Sequence, residues 1–501
     1  MTTRDHLDQV GAQPPLWAPL AVIAGALAVT AAGVGGSPYL LELAFLVTAG
    51  LTLALAHRVL LGWTGLLCGI LLVILFVPIR RYTLPGGLPF ELEPYRLLVA
   101  VAVVGWGASL LVDRRVTLRR TGFEAPIALI LIGVLGSLAA NPGRVSSLGS
   151  DVTKEVTFLA SFLLLVYLIV SVVRSRRTID TMIHVLVLGG AVVAVFALIE
   201  SRADWNAFNQ LGRVFPFLDA HDLPGQETRG GRLRVFGSAQ HPIALGAAFA
   251  MLLPLAVYLA RRSGRRIWWI PAALITLGVF STVSRTSIVM LLVVGLVVFR
   301  LRSWEVRRFI VPALIVLPLL VHVALPGTLG SLKKSFFPEG GLVADQQKAA
   351  GQRGSGRISD LGPALSELKS NPFVGQGYGT RVIDLERANA QILDNQWLKT
   401  LLETGVLGFV GWFWFLAAVI RRLGRAAKED RTTDGWLYVA LAASVLAFGV
   451  GMLTYDAFSF IQVTFLMFIL VAIATCSLHA RRESEAEPAS LSRPARKPLD
   501  G

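Results

Sequence analysis

The sequence predicts an all-α polytopic membrane protein with about 14 transmembrane helices, in the range of roughly 12–14. Hydrophobic residues make up 54% of the 501 residues and charged residues only 16%, below the roughly 25% that is usual for a soluble domain. The mean hydropathy is +0.63. Apolar runs of about 20 residues, long enough to cross a bilayer as helix, recur along the whole chain. Soluble enzymes, nucleic-acid-binding modules, disulfide scaffolds and disordered proteins are thereby excluded.

The apolar runs and the segments between them define the predicted organisation. The spans are expected at 17–34, 39–56, 59–79, 96–112, 124–140, 156–173, 181–200, 241–260, 267–283, 286–301, 309–325, 397–420, 435–455 and 459–478. The chain then divides into a cytoplasmic N-terminal tail (1–16), N-terminal transmembrane helices (17–200), an extracytoplasmic loop (201–240), central transmembrane helices (241–325), a large extracytoplasmic loop (326–396), C-terminal transmembrane helices (397–478) and a disordered cytoplasmic tail (479–501).

The basic residues predict the orientation, because Lys and Arg concentrate in cytoplasmic loops. With the N-terminus inside, the inward loops hold 21 basic residues and the short outward loops hold 6. Both termini are therefore expected in the cytoplasm, and the two long loops outside. The same bias accounts for the net charge of +15, so no nucleic-acid partner is expected.

Arginine is unusually frequent in the two long loops. A guanidinium binds phosphate in a planar, bidentate geometry, which makes arginine the usual fixed phosphate ligand. The set favours a site for phosphate or anionic lipid, although any single arginine is more simply explained by an ion pair with an acidic residue of its loop, such as Glu227 or Asp360. The first loop contains Arg202, Arg213, Arg229, Arg232 and Arg234, and the second Arg353, Arg357, Arg381 and Arg387.

Two further features lie where loops meet spans. Arg285 stands between two apolar spans, where an ionisable group is costly and indicates a functional site unless its side chain reaches the lipid headgroups. In the segment from Arg234 to Pro242, Gly237 permits a tight backbone and the proline suits the first turn of a helix, so backbone amides there could face an anion. His241 is either an acid–base group or, as is commoner at a loop-to-helix junction, a structural residue.

A glycine-rich segment and the start of a late span form the last candidate site. Residues 371–379 read Asn-Pro-Phe-Val-Gly-Gln-Gly-Tyr-Gly, and Asp394 and Asn395 fall where loop becomes helix. Gly405 lies eleven residues beyond Asp394, about three turns down nearly the same face. Taken alone, these residues are explained by an Asp394 N-cap and by close helix packing at Gly405 and Gly408.

Taken in order, these motifs resemble the O-antigen ligase and O-antigen (Wzy-type) polymerase superfamily of bacterial cell envelopes. The resemblance covers roughly residues 60–478, with its core motifs in 230–410. The matching features are an Arg-Gly-Pro segment that leads into a span (Arg234, Gly237, Pro242), a Ser-Arg between spans (Ser284, Arg285), an Asn-Pro-x-x-Gly-x-Gly segment (371–377), and Asp394-Asn395-x(9)-Gly405-x-x-Gly408, where the family pattern begins with His-Asn.

The resemblance implies an inverting glycosyltransferase of the cell (cytoplasmic) membrane that works at its outer face without metal, nucleotide or other cofactor. The implied donor is a glycan on undecaprenyl or a related polyprenyl diphosphate, and the acceptor is a glycan or a lipid-linked molecule. Arg234 and Arg285 would hold the diphosphate, with Arg357 as a third candidate ligand. Among the remaining polar residues of the motifs and loops, Arg232, Arg381 and Asn395 are further candidates for substrate binding.

The resemblance also implies a general base at the head of a late span. Asp394 stands here where the family has histidine. A carboxylate can accept the acceptor's proton if its surroundings bring its pKa toward the working pH. The change therefore keeps the chemistry feasible and puts in doubt whether the acceptors are the same.

Two other classes of protein share parts of this pattern. A transporter or flippase of lipid-linked saccharides would need charged or broken helices near the middle of several spans, and here charges avoid the span centres, with Glu42 and Glu403 as the nearest exceptions. A cell-wall glycosyltransferase of the shape, elongation and division type would use a similar donor. A non-catalytic scaffold is the least favoured class. The sequence leaves polymerase and ligase undecided.

Overall fold

The computed structural model of the chain describes residues 62–85, 92–221, 225, 227–229, 231–338, 366–381 and 394–491. The first two predicted spans, 17–34 and 39–56, lie outside the described residues. The described part is mainly helical, as predicted, with small two-stranded sheets that the all-α prediction did not include.

The main helices are α1 (Trp63–Phe76), α2 (Pro94–Val112), α3 (Glu124–Ala140), α4 (Gly149–Val172), α5 (Arg176–Ala203), α6 (Pro242–Ser263), α7 (Trp269–Ser281), α8 (Arg285–Ala324), α9 (Thr328–Phe336), α10 (Gln396–Glu429), α11 (Gly435–Gly451) and α12 (Ile461–Leu491). Short helices lie at Pro142–Ser147 and Leu211–Val214, and 3-10 turns at Ala207–Gln210, Arg266–Trp268 and Ala457–Ser459. The strands are β1 (Tyr82–Thr83), β2 (Asp219–Ala220), β3 (Glu227–Arg229) and β4 (Arg232–Arg234).

Within the described residues, seven helices are long and apolar enough to cross a membrane, or eight if the bent pair formed by the end of α8 and α9 is one span. Four shorter apolar helices accompany them. The chain is therefore a multi-pass membrane protein. The number fourteen stays a prediction.

Two predicted spans, 286–301 and 309–325, form the single helical element α8. Its backbone departs from helical geometry at Arg302, with φ −136° and ψ 34°. The Arg302 side chain donates a hydrogen bond to the backbone carbonyl of Asp430 at 2.5 Å and lies 3.6 Å from a carboxylate oxygen of Glu305. The two halves thus meet in a kink stabilised by a buried guanidinium, where the sequence predicted a loop.

The centre of the bundle is formed by α6 and α12. Their apolar windows are 89% and 94% buried, whereas that of α2 is only 22% buried. On α2, Val104 and Leu111 are exposed, as expected for side chains that face lipid. Because lipid tails are as apolar as these side chains, such helices associate through close van der Waals packing and polar contacts. One such packing group joins Phe162 of α4 with Phe465 and Phe468 of α12, at ring separations of 4.7 and 5.3 Å.

Charged side chains lie at both ends of the bundle. At the end where α5 and α11 begin, which we call the lower end, arginines pair with carboxylates: Arg262 lies 2.5 Å from Asp180, and Arg176 lies 3.2 Å from Asp434. At the opposite, upper end lie the two sheets, most of the predicted loop 201–240 and the start of α10. The last helix, α12, ends at Leu491, so helix extends into the segment predicted as a disordered tail.

Candidate active site

The hairpin of β3 and β4 positions Arg234 at the upper end. Its register places Arg234 opposite Glu227, and Nη1 of the arginine donates to Oε2 of the glutamate at 2.6 Å. Arg234 is only 4% exposed. Its Nε and Nη2 atoms have no hydrogen-bond partner among the described residues. One donor of this guanidinium is thus held by the protein, and two buried donors remain to bind an acceptor.

Arg234 and Arg285 are electrostatically coupled. Burial lowers the pKa of Arg234, Glu227 opposes that shift, and the positive charge of Arg285 adds to it. The fold therefore brings together the two arginines that the sequence assigned to one anion. Arg285 begins α8, and the preceding residue Ser284 caps that helix by accepting the amide of Ser287 at 3.4 Å.

The turn between α7 and α8, just before Arg285, is strained. Val283 has a φ of +47°, which a β-branched residue rarely adopts. Such strain costs on the order of 1–3 kcal/mol and persists where the surrounding structure imposes it, often at functional sites. Gly246 of α6 contributes to this constraint, because a Cβ there would lie 1.9 Å from Oγ of Ser287. A side chain at position 246 would push the turn, and Arg285 with it, away from α6.

His241 has a structural role in this arrangement. Its Nδ1 accepts the backbone amide of Ile243 at 3.1 Å and so caps α6, and its Nε2 lies 3.3 Å from Oε1 of Glu227. With Nδ1 used as an acceptor, the ring proton belongs on Nε2, where it is donated to Glu227. This hydrogen bond and the charges of Arg234 and Arg229 lower the pKa of Glu227 to about 2. Of the two interpretations of His241, the geometry favours the structural one.

The backbone amides at the tight turn of Gly237 bind a carboxylate of the protein itself. Gly237 has a φ of +49°, and its amide and that of Phe236 donate to the carboxylate of Glu200 at 2.9 and 3.2 Å. The amides of Phe236 and Gly237 are therefore not available to a bound ligand. They instead fix the hairpin and the start of α6 to the end of α5.

Arg81 stabilises the same segment from the other side. It is 2% exposed and donates to the backbone carbonyls of Gly237, at 3.0 Å, and of Ala239. Burial lowers its pKa to about 10, against the opposing charge of Glu200. The sequence treated Arg81 only as one basic residue of a short loop. No local signal distinguishes it, since its partners lie far away along the chain.

The other arginines predicted to bind substrate have protein partners or lie elsewhere. Arg232 donates to the carbonyl of Pro326 and, at 3.2 Å, to Oγ of Ser201, which ties the hairpin to the turn between α8 and α9. Arg381 donates to the carboxylate of Glu367. The contact of Arg381 matches the alternative in which a loop arginine pairs with an acidic residue of its loop, whereas Arg232 binds a carbonyl and a hydroxyl of other segments. Arg357 lies outside the described residues.

The cap of α10 is Asn395, not Asp394. Oδ1 of Asn395 accepts the amide of Leu398 at 3.1 Å. The next residue, Gln396, donates its amide to the carbonyls of Met452 and Tyr455 at 2.8 and 3.2 Å, which anchors the head of α10 to the turn between α11 and α12. Capping, the simplest explanation of Asp394, therefore does not apply. Asp394 stands one residue before the cap of a firmly anchored helix.

Ring contacts connect this helix head to the arginine region. Phe460 lies between the two, with its ring centroid 5.6 Å from that of His241 and 5.7 Å from that of Tyr455. The carbonyl of Tyr455 accepts the amide of Gln396. The heads of α6 and α10 are therefore held in one packed layer.

A break inside α10 changes the expected relation between Asp394 and Gly405. Gly405 has φ +63° and ψ −165°, so α10 consists of two helical pieces and the assumption of one continuous face is wrong. A Cβ at Gly405 would lie 2.3 Å from the backbone carbonyl of Phe373. The glycine-rich segment 371–377 fills the break, because the amides of Gln376 and Gly377 donate to the carbonyls of Leu402 and Glu403 at 2.9 and 3.3 Å.

Gly408 does permit close helix packing, as expected. A Cβ on Gly133 of α3 would lie 2.7 Å from Cα of Gly408. The two backbones are therefore in direct contact at this level, which only glycine allows.

Sequence reasoning missed a buried ion pair below the head of α10. Nζ of Lys399 lies 3.1 Å from Oδ2 of Asp456, and Oδ2 also accepts a hydrogen bond from Ser459 at 2.5 Å. One turn further along α10, Glu403 is 4% exposed, and its Oε1 has no hydrogen-bond partner among the described residues. The sequence noted Glu403 only as a charge near a span centre. In the described part of the chain, no three His, Cys, Asp or Glu side chains converge as metal ligands.

The fold and this site together define a multi-pass membrane protein with buried guanidiniums at one end of its helical bundle. Residues 270–413 match the O-antigen ligase family profile. This match confirms the resemblance to the O-antigen ligase and polymerase superfamily. The matched segment contains Arg285, Asp394 and Gly405, whereas Arg234 precedes it. The sequence has no significant match among curated proteins.

Proposed function

We propose that the protein transfers or polymerises a glycan carried on a polyprenyl diphosphate, with inversion at the sugar and without a metal ion. The observation that carries this proposal is the buried Arg234 guanidinium, which lies near Arg285 and has two donor atoms without a partner in the described part of the chain. Two neighbouring cations at one end of a membrane bundle suit a diphosphate whose lipid tail stays in the bilayer. The family of the matched segment supports the same chemistry.

The chemical step follows from the charges. When the bond between sugar and phosphate breaks, negative charge develops on the leaving diphosphate. Preplaced guanidiniums stabilise that charge more strongly in the transition state than in the ground state, and this difference lowers the barrier. Glu227 holds Nη1 of Arg234 and so orients the remaining N–H groups toward the phosphate oxygens.

We assign the general base to Asp394. The base takes the proton of the acceptor hydroxyl as that oxygen attacks the anomeric carbon on the face opposite the diphosphate, which inverts the configuration. Asn395 carries the helix cap, so the carboxylate of Asp394 is not needed for that purpose. Arg232 and Arg381, which bind neighbouring protein groups, would act by positioning the hairpin and the glycine-rich segment.

A transfer assay tests the proposal. The purified protein in detergent is mixed with a polyprenyl-diphosphate glycan, and the lengthened or transferred glycan is separated by gel electrophoresis or mass spectrometry. We expect product and released polyprenyl diphosphate without added nucleotide, and unchanged turnover in the presence of a metal chelator. Absence of product with donors of several glycan types would contradict the proposal.

One observation favours the transporter alternative, namely the broken helix at Gly405 beside buried charges. Bond formation in detergent distinguishes a transferase from a flippase. A transferase forms new glycosidic bonds in detergent, whereas a flippase forms none and moves the lipid-linked saccharide only across a sealed vesicle membrane. Movement without bond formation would establish the alternative.

The upper end is assigned to the outer face of the cytoplasmic membrane from the basic bias of the loops. Ser370 at the upper end and Ser303 at the lower end are both exposed. In intact cells, an impermeant thiol reagent should label a Ser370→Cys variant at once and a Ser303→Cys variant only after lysis. The opposite pattern would invert the orientation and remove the proposed site from the outer face.

A further inference from the structure

A cavity of about 300 Å³ opens at the lower end, at the far end of the bundle from the proposed active site. It lies between the start of α3 and the lower parts of α10 and α12. Its lining includes Arg120, Arg422, Arg482, His479 and Glu124. The proposed glycan chemistry uses none of these residues.

Three arginines, Arg120, Arg422 and Arg482, line this cavity. In the described part of the chain, none of them forms an ion pair, whereas the neighbouring Arg119 lies 2.5 Å from Glu483. The acid of the cavity, Glu124, is engaged elsewhere. Its Oε1 accepts the amide of Gly122 at 3.0 Å within its own turn. The cavity therefore carries a positive charge that a ligand can balance.

Arg422 is built into the cavity wall. Its guanidinium carbon lies 4.6 Å from the ring centroid of Phe123. Gly122, with a φ of +78°, leaves the necessary room, because a Cβ there would lie 2.2 Å from Nη1 of Arg422. Stacking on an aromatic ring leaves the edge N–H groups of a guanidinium directed outward, where they can donate to an anion. In addition, Nδ1 of His479 is buried without a hydrogen-bond partner in the described part.

We propose that this cavity binds the phosphate of an anionic phospholipid headgroup. Arginines that surround a polar cavity between transmembrane helices, at headgroup depth, suit a phosphodiester. The helices on either side also offer apolar surface for acyl chains. Leu131 and Leu135 of α3 and Phe413 and Trp414 of α10 are exposed, at about 10–17 Å along their helices from the cavity. A soluble phosphate would gain nothing from that surface.

The test compares lipids and variants on the purified full-length protein. Binding of dioleoylphosphatidylglycerol is counted by native mass spectrometry, and the melting temperature is measured with that lipid, with dioleoylphosphatidylcholine and with inorganic phosphate. For the wild type we expect phosphatidylglycerol to bind and to raise the melting temperature, and the other two to have little effect. An equal shift with inorganic phosphate would overturn the lipid assignment in favour of a soluble anion.

The decisive variant is Arg422→Gln with Arg482→Gln. Loss of two arginines near the headgroup should weaken phosphatidylglycerol binding about 25-fold and remove most of its thermal shift. The matched control is Arg300→Gln with Arg307→Gln, which removes the same charge from exposed lower-end positions of α8 and should keep the shift. If both double variants respond alike to phosphatidylglycerol, the proposal is wrong.

A second variant keeps every charge and changes only the shape. Gly122→Ala places a methyl group against Arg422 and should displace the guanidinium, weakening phosphatidylglycerol binding. Should the double variant fail to fold, the exposed Arg482→Gln alone and Gly122→Ala decide the question. Unchanged lipid binding in both of these would also contradict the proposal. Glycan transfer, measured in a fixed lipid mixture, reports separately on the proposed function.

Discussion

Arg234 offers the sharpest test of the proposed chemistry. In the Arg234→Gln variant, the side chain keeps part of its length, loses its positive charge and loses the guanidinium donors. Two donor atoms, Nε and Nη2, have no hydrogen-bond partner among the described residues, and we assign them to the diphosphate. Glutamine cannot supply a charge-assisted pair of bonds in their place.

The size of the effect follows from these two bonds. A hydrogen bond to a charged group contributes about 1.5–3 kcal/mol, so two of them contribute about 3–6 kcal/mol to the transition state. At about 1.4 kcal/mol per tenfold change, transfer should slow by about 10²–10⁴-fold. Arg234→Lys should recover only a small part, because a lysine is a point charge and cannot form the planar pair of bonds.

The cost in stability should be much smaller. The ion pair between Arg234 and Glu227 is lost, but the Glu227 side chain is 45% exposed, and water can solvate it. Pairs between exposed side chains contribute about 0–1 kcal/mol, and because the Arg234 side chain is only 5% exposed, the loss should lie near the upper end of that range. A large loss of activity beside a nearly unchanged melting temperature therefore separates a ligand from a structural arginine.

The assay is single-turnover transfer from a polyprenyl-diphosphate glycan in detergent, with the melting temperature measured on the same samples. Arg213→Gln is the matched control, because Arg213 is exposed in the same predicted loop and should behave as wild type. Turnover of Arg234→Gln close to that of the control would refute the assignment and leave Arg234 as a partner of Glu227 only.

Substitutions at four further positions test the rest of the site. Arg285→Ala should abolish transfer and Arg285→Lys should restore little of it; wild-type transfer in Arg285→Ala would assign this arginine to the lipid headgroups. Asp394→Asn should slow transfer by ~10²–10⁴-fold without lowering the melting temperature, and a fully active Asp394→Asn variant would place the base elsewhere. Asn395→Ala should instead lower the free energy of unfolding by about 1 kcal/mol through loss of the helix cap. Gly405→Ala forces a Cβ to within 2.3 Å of the Phe373 carbonyl at a φ of +63°, so both melting temperature and transfer should fall, and an unaffected variant would show that the break in α10 is not required.

The membrane class and the residues of interest were predictable from the sequence because both depend on local composition. A bilayer selects for apolar runs of a given length, and those runs are visible without any knowledge of packing. Arg285 stood out because charge is costly at the boundary of a span, and Arg234 because arginine is frequent in the long loops and suits a phosphate ligand. The family motifs added their order along the chain.

The partners of these residues depended on tertiary structure. The register of the hairpin places Glu227 opposite Arg234. The backbone amide of Gly237 donates a hydrogen bond to Glu200 because the end of α5 lies beside it. These partners come from different elements, and hydropathy does not encode which elements meet. For the same reason, the sequence did not predict the role of Arg81, whose hydrogen-bond acceptors lie more than a hundred residues away along the chain.

Helix α10 likewise combines features that the sequence predicted with features that depend on tertiary packing. The sequence located the start of α10 to within a residue, since polar loop gives way to apolar helix there. It could not decide that Asn395 caps the helix in place of Asp394, nor that α10 breaks at Gly405. Both depend on contacts with other segments: the break exists because residues 371–377 supply amides to its open carbonyls, and the Lys399–Asp456 pair exists because α10 packs against the turn before α12. Local sequence thus determined which segments are apolar enough to cross a membrane and which residues carry charge. Only the packing of distant segments determined which of those charges the protein itself satisfies and which are available to a ligand.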